Sequence, residues 1–183
     1  MDTVVISDTN IFIDLYNINL LEAFFSLPLK IHTTDFVLNE LTDIEQKANI
    51  LKFIKTKKLF LKKNSPQEIM EIAVFHSQRE NNVSMTDCSV WMYAHKNKYE
   101  LLTGDNKLKK SAIKSGVNAH GILYIIDLLV ETHKIISPEE GADKLSLLVK
   151  KNNRLPSKEI QQRIQKWSNS IMNNTNLKHI RNL

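Results

Sequence analysis

Four carboxylates, Asp8, Glu40, Asp87 and Asp105, lie far apart in this 183-residue chain. Each stands where an α/β fold would bring it toward one edge of a parallel sheet. Asp8 directly follows the apolar run Thr3-Val4-Val5-Ile6-Ser7, and Asp105 follows Glu100-Leu101-Leu102-Thr103 after a single glycine, Gly104. Asp87 stands at a helix start just before that second run, and Glu40 lies in the helical stretch after Leu29-Lys30-Ile31-His32. Open α/β sheets bind ligands beyond the carboxyl ends of their strands, near a switch in strand order. Each acid taken singly has a plainer role. Asp8 and Asp105 suit helix N-caps, Asp87 suits the positive end of a helix, and Glu40 suits a solvated helix face. Four together would repel one another and raise at least one pKa. Divalent cations with a preference for oxygen ligands relieve that repulsion.

The elements that must position these acids follow from the apolar pattern. Thr3–Ser7, Leu29–His32, Leu59–Leu61 and Glu100–Thr103 read as short strands, with Val117–Ala119 as an edge strand. The first is apolar without alternation, as a strand covered on both faces should be. Ile11–Leu15 returns at helical spacing, with Thr9 or Asn10 as N-cap. Thr33-Thr34-Asp35 opens a helix that continues through Lys47–Lys55, and Ser65-Pro66-Gln67-Glu68 predicts a capping box with proline at the first helical position. Further helices are expected from Asp87 through His95, over Asn106–Lys114 and over the buried stretch Ile122–Val130. Strands alternating with helices predict an α/β fold: a three-layer parallel sheet of four or five strands, with helices on both faces and C-terminal helices appended. The shift in composition at Lys150–Pro156 divides residues 1–150 from a basic helical extension, 151–183, read as a joint within one domain or as an appendage contacting RNA or a partner.

With 42% hydrophobic residues the chain can bury a core. One cysteine, Cys88, excludes an internal disulfide and fits a reducing cytoplasm. The start has no basic segment of the signal-peptide kind, and no apolar run approaches the roughly 20 residues of a membrane span, so a soluble, cytoplasmic protein is expected. The net charge of +5 fits a polyanionic partner without demanding one. From Lys150 onward eight basic residues face one acid, Glu159. Lys107, Lys109, Lys110 and Lys114 suit either a phosphate track beside Asp105 or a solvated helix face. The six histidines show no zinc-ligand spacing. Cys88 has no paired base, and both it and Trp91 are expected in packing roles.

The blocks Val5-Ile6-Ser7-Asp8-Thr9-Asn10, Val37-Leu38-Asn39-Glu40-Leu41, Ser84-Met85-Thr86-Asp87-Cys88 and Leu102-Thr103-Gly104-Asp105-Asn106-Lys107-Leu108 resemble, in order, the four motif blocks of PIN-domain nucleases. The resemblance runs from about Thr3 to Leu129. Gly121-Ile122-Leu123 and Asn153-Arg154-Leu155-Pro156 are similar to a toxin-like branch of that family. It implies an Mg²⁺- or Mn²⁺-dependent ribonuclease, with one or two ions held by Asp8, Glu40, Asp87 and Asp105. Asn10 and Thr103 would orient a carboxylate or contact phosphate. Some family members carry an extra acid just after the last one; Asn106 and Lys107 stand there instead, which implies a weaker or substrate-dependent second metal. An antitoxin partner and a homodimer are further implications of the toxin-like branch. Two alternatives stand beside this reading. One is a catalytically weak module that binds RNA or a partner. The other is a haloacid-dehalogenase-type phosphatase, which needs a second aspartate where this chain has Asn10.

Overall fold

The computed structural model describes residues 3–78, 83–152 and 155–180, with side chains described as far as residue 169. Five strands, β1 (Thr3–Ser7), β2 (Leu29–Thr34), β3 (Leu59–Lys62), β4 (Glu100–Leu102) and β5 (Ala119–His120), form one sheet in the order β3-β2-β1-β4-β5. Every pairing is parallel. Val5 and Ile6 are consecutive on β1 and therefore point to opposite faces, and neither is exposed at all. Both faces of the central strand are therefore covered, as the uninterrupted apolar run predicts. The strand order steps outward through β2 and β3 on one side and through β4 and β5 on the other. The switch falls between β1 and β4, where the amide of Asp8 donates to the Leu102 carbonyl at 3.0 Å.

The connecting helices are α1 (Thr9–Asn17), α2 (Leu21–Phe24), α3 (Asp35–Glu40), α4 (Ile44–Lys55), α5 (Pro66–Ser77), α6 (Met85–Asn97), α7 (Asn106–Lys114) and α8 (Ile122–Asp127). The capping box at Ser65 and Glu68 forms as expected. The amide of Ile11 donates to Asp8 Oδ1 at 3.1 Å, so of the cap candidates Asp8, Thr9 and Asn10 it is Asp8 that caps α1. Other boundaries differ from the sequence reading for local reasons. The helix after β2 breaks because Asp43 accepts from the Gln46 amide at 2.8 Å and starts a fresh helix. The buried stretch after Gly121 is α-helical only to Asp127 and then widens into a π-helical turn, Leu128–Thr132.

Two compact units divide the chain: Met1–Tyr16 with Pro28–Ile122, and Asn17–Leu27 with Leu123–Leu183. The second unit takes up the chain from Leu123 onward together with Asn17–Leu27. In the second unit α9 (Pro138–Lys151) packs against α10 (Ser157–Ile180). Leu145, Leu148, Ile160 and Trp167 are buried, and the Trp167 indole N–H donates to Glu131 Oε1 at 2.9 Å. Two of the C-terminal basic residues are engaged inside this unit. Arg163 forks onto Asp127 at 2.7 and 2.6 Å, and Lys166 reaches Glu131 at 2.7 Å.

Gly141 sits inside α9 because nothing larger fits. A Cβ there would lie 2.5 Å from Val130 Cγ2 and 3.1 Å from Trp167 Cζ3. Helix propensity alone favours Gly141→Ala by about 1 kcal/mol, whereas overpacking costs about 1–3 kcal/mol. We expect the clash to prevail and the melting temperature to fall. A thermal melt showing equal or greater stability would mean that Val130 and Trp167 yield.

Candidate active site: four carboxylates at the strand switch

Three of the four acids sit at helix N-termini that open on the carboxyl edge of the sheet. Asp8 ends β1 and caps α1. Asp87 occupies the third position of α6, where its Oδ2 accepts the Ser84 amide at 2.7 Å and its own amide donates to Ser84 Oγ at 3.0 Å. Asp105 caps α7, its Oδ1 accepting from the amides of Lys107 at 2.6 Å and Leu108 at 2.8 Å. Helix N-termini carry partial positive charge and unpaired N–H groups, so they hold anions against their mutual repulsion. Glu40 ends α3 with an exposed side chain, and the hydroxyl of buried Thr9 donates to its Oε2.

Thr103 ties two of the acids together. Its hydroxyl donates to Asp8 Oδ2 and accepts the Asp105 amide at 3.0 Å, while the residue itself is buried. Gly104 allows a close approach. A Cβ on it would lie 3.0 Å from the Cβ of Asn10, and its backbone N–H supports the Asp8 carboxylate. Asn10 is exposed on α1 beside this loop. Lys107 is exposed, and its backbone amide serves the Asp105 cap.

Burial is the largest influence on Asp8 and pushes its pKa up to about 7, against hydrogen bonds from Thr103, Ile11 and Gly104 that favour the anion. The charge of Asp87 adds to the rise. Asp87 is raised too, first by burial and then by the charges of Asp105 and Glu40, with the Ser84 bonds opposing. Asp87 thus feels two of the other acids and acts on the third. The remaining oxygens of Glu40, Asp87 and Asp105 accept no hydrogen bond among the described residues. No group of three or more His, Cys, Asp or Glu side chains among the described residues is arranged to hold a metal ion as it stands.

Asp8 is only 2% exposed with both oxygens bonded. That is a poor attitude for the attacking aspartate of the phosphatase alternative. Cys88 and Trp91 are buried as expected; the Trp91 indole donates to Ser115 Oγ at 2.8 Å. Sequence reasoning missed Thr9 and Ser84, the hydroxyls that fix Glu40 and Asp87. Their signal was position, one residue after the first acid and three before the third.

A parallel α/β sheet with acids gathered at its strand switch defines a class of ligand-binding α/β domain. The chain matches the family described as PIN domain over residues 4–169, and it belongs to that family. PIN domains are generally nucleases and typically use divalent metal ions. Among solved structures it is similar to a PilT N-terminus domain protein from the archaeon Sulfolobus solfataricus P2, at 13% identity over 70% of this chain and 95% of that one, with a TM-score of 0.44. A protein from Pyrobaculum aerophilum is similar at 16% identity over 70% and 98%, TM-score 0.47. VapBC2 from Rickettsia felis, bound to a DNA fragment from its promoter, is similar at 19% identity over 65% and 98%, TM-score 0.44. No curated protein sequence matches the chain. No helix among the described residues is long and apolar enough to cross a membrane.

The raised pKa of Asp8 makes folding stability depend on pH. Folded Asp8 keeps its proton up to about pH 7, against an ordinary value of 3.8. Between those values the folded protein binds more protons than the unfolded chain, so stability falls as pH rises. In EDTA, Asp8→Asn should flatten that decline and melt several degrees higher at pH 8 than the parent, with little difference at pH 4. Parallel melting curves across that range would contradict the assigned burial of charge.

Proposed function

We propose that this PIN domain is a metal-dependent endoribonuclease that hydrolyses RNA phosphodiester bonds, with Asp8, Glu40, Asp87 and Asp105 as its metal-binding and catalytic carboxylates. One observation carries the reading: four acids at the carboxyl edge of the sheet, of which Asp87 feels the charges of Asp105 and Glu40 and adds its own to Asp8. Among the described residues they do not enclose an ion directly. An all-oxygen, loosely convergent set nevertheless fits Mg²⁺ or Mn²⁺, because Mg²⁺ takes one or two carboxylates and keeps several waters.

One or two such ions would supply an activated water and neutralise charge on the cleaved phosphate. The chain's own residues do the positioning. Asp87 and Asp105 present one oxygen each while the other is fixed by a helix end, which limits the reorganisation a bound ion would demand. Thr103 links Asp8 to the Asp105 loop through one hydroxyl. Thr9 holds Glu40, the acid with the fewest other restraints. The exposure of Asn10 and Lys107 at this edge supports a role for them in meeting the RNA backbone. Pairing with an antitoxin and self-association are carried by the motif resemblance, in particular Gly121-Ile122-Leu123.

The test is cleavage of mixed RNA by the purified protein with Mg²⁺ or Mn²⁺, with EDTA as control. Removing electrostatic stabilisation of the transition state costs about 10²-fold or more, so Asp8→Asn, Asp87→Asn and Asp105→Asn should each lose at least that much. Asparagine is chosen because it can still cap a helix. Full activity in Asp105→Asn, or cleavage that survives EDTA, would sink the assignment.

A further inference from the structure

Edge strand β3 carries a combination that protection of a sheet edge does not explain. From Gln46 to Gln67 the chain has seven lysines and no acid, while the whole chain nets only +5. Lysines on an edge strand discourage pairing with another chain. A large exposed aromatic residue works against that protection, yet Phe60 in the middle of β3 is 45% exposed.

The Phe60 ring is firmly held. Phe60 pairs with His32 across β2 and β3, and their rings stack at 4.9 Å with 29° between planes. His32 Nδ1 lies 2.8 Å from the Tyr93 hydroxyl, and Tyr93 meets Tyr99 edge-on at 5.9 Å. Phe60 is therefore an exposed plate on a four-ring cluster. Alternate residues of a strand share a face, so Lys62 lies on the same side as Phe60. Lys62, Tyr93, Ser89, Lys96 and Asn97 line a cavity of about 310 Å³. Tyr93 and Lys96 follow Asp87 on α6 by roughly 9–14 Å at 1.5 Å per residue. The carboxyl end of β3 is also the end of the parallel sheet at which the acids gather.

We infer that the Phe60 face of β3 is a single-stranded RNA subsite, where a base flanking the cleaved phosphate stacks on the Phe60 ring and neighbouring phosphates lie along the lysines that flank the strand. The identity of the ligand rests on the ribonuclease reading above. Single strands are specified because a stacking plate needs a base whose face is not already covered by its neighbours in a helix. Lys62 is held by Glu68 at 2.8 Å. The phosphate contacts therefore fall to Lys57, two residues ahead of β3, and Lys63, directly after it, both exposed.

The experiment is fluorescence anisotropy of the full chain with labelled oligouridine in EDTA, so that no cleavage intervenes. Phe60→Leu keeps apolar bulk but removes the ring face, and should weaken binding about tenfold. Phe60→Tyr should bind like the parent, and melting temperatures should not change. Lys57→Gln and Lys63→Gln should each reduce the salt dependence by about 0.7 in log–log slope. Parental affinity in Phe60→Leu would overturn the subsite, as would equal affinity for an RNA duplex. Displacement of the RNA by polyglutamate as effective as by unlabelled RNA would reduce the face to charge alone and would also overturn it. Metal-dependent cleavage without a Phe60 effect would remove the subsite and leave the nuclease reading standing. Phe60-dependent binding without cleavage would do the reverse.

Discussion

Helix caps that are also members of an acid cluster are the interaction on which the rest depends. A parallel sheet sends each strand into a helix at the same edge, so several helix N-termini open onto one place. Each has amide groups without intrahelical partners, and aspartate satisfies them at little cost. Asp8, Asp87 and Asp105 do so for α1, α6 and α7. The topology that creates the need for caps thereby also collects negative charge. Thr103 joins two of these caps through one hydroxyl, which makes the cluster a connected unit.

This dual role explains what could be read from the sequence. Strand and helix positions were legible because β1 is apolar on both faces and because Ser65-Pro66-Gln67-Glu68 carries its own capping chemistry. The acids were legible by their places after strands and at helix starts. The plain reading of Asp8 and Asp105 as caps describes their hydrogen bonds correctly, and it does not compete with their membership of the cluster. Less legible were contacts across long sequence separations. Thr9 to Glu40 and Thr103 to Asp8 join residues 31 and 95 apart, and no local pattern encodes such a pairing. The break at Asp43 and the π-helical turn at Leu128–Thr132 escaped because local capping and packing decide them and hydrophobic period does not.

The C-terminal basic segment illustrates the same limit. Its charge count suggested a polyanion surface, but a count ignores partners. Arg163 and Lys166 neutralise Asp127 and Glu131 within their own unit, and the forked Arg163 pair is of the strong, charge-assisted kind. The run from Lys47 to Lys63 contains no acid, and Lys62 within it finds Glu68 just beyond.

That difference bears on how an acidic site could meet an anionic chain. A cluster of carboxylates repels phosphate until cations bind, and at physiological salt the repulsion and any opposing attraction fade over about 8 Å. A basic strip must therefore lie close to the acids to matter, yet not so near that it neutralises them. β3 stands two strands from β1, roughly 10 Å at the usual strand spacing, and ends at the same edge. Asp35, at the end of β2, accepts from the Asn64 amide at 3.0 Å and so ties the exit of β3 to the strand beside the acids. The sheet thereby fixes the spacing between the acids at its carboxyl edge and the lysines around β3.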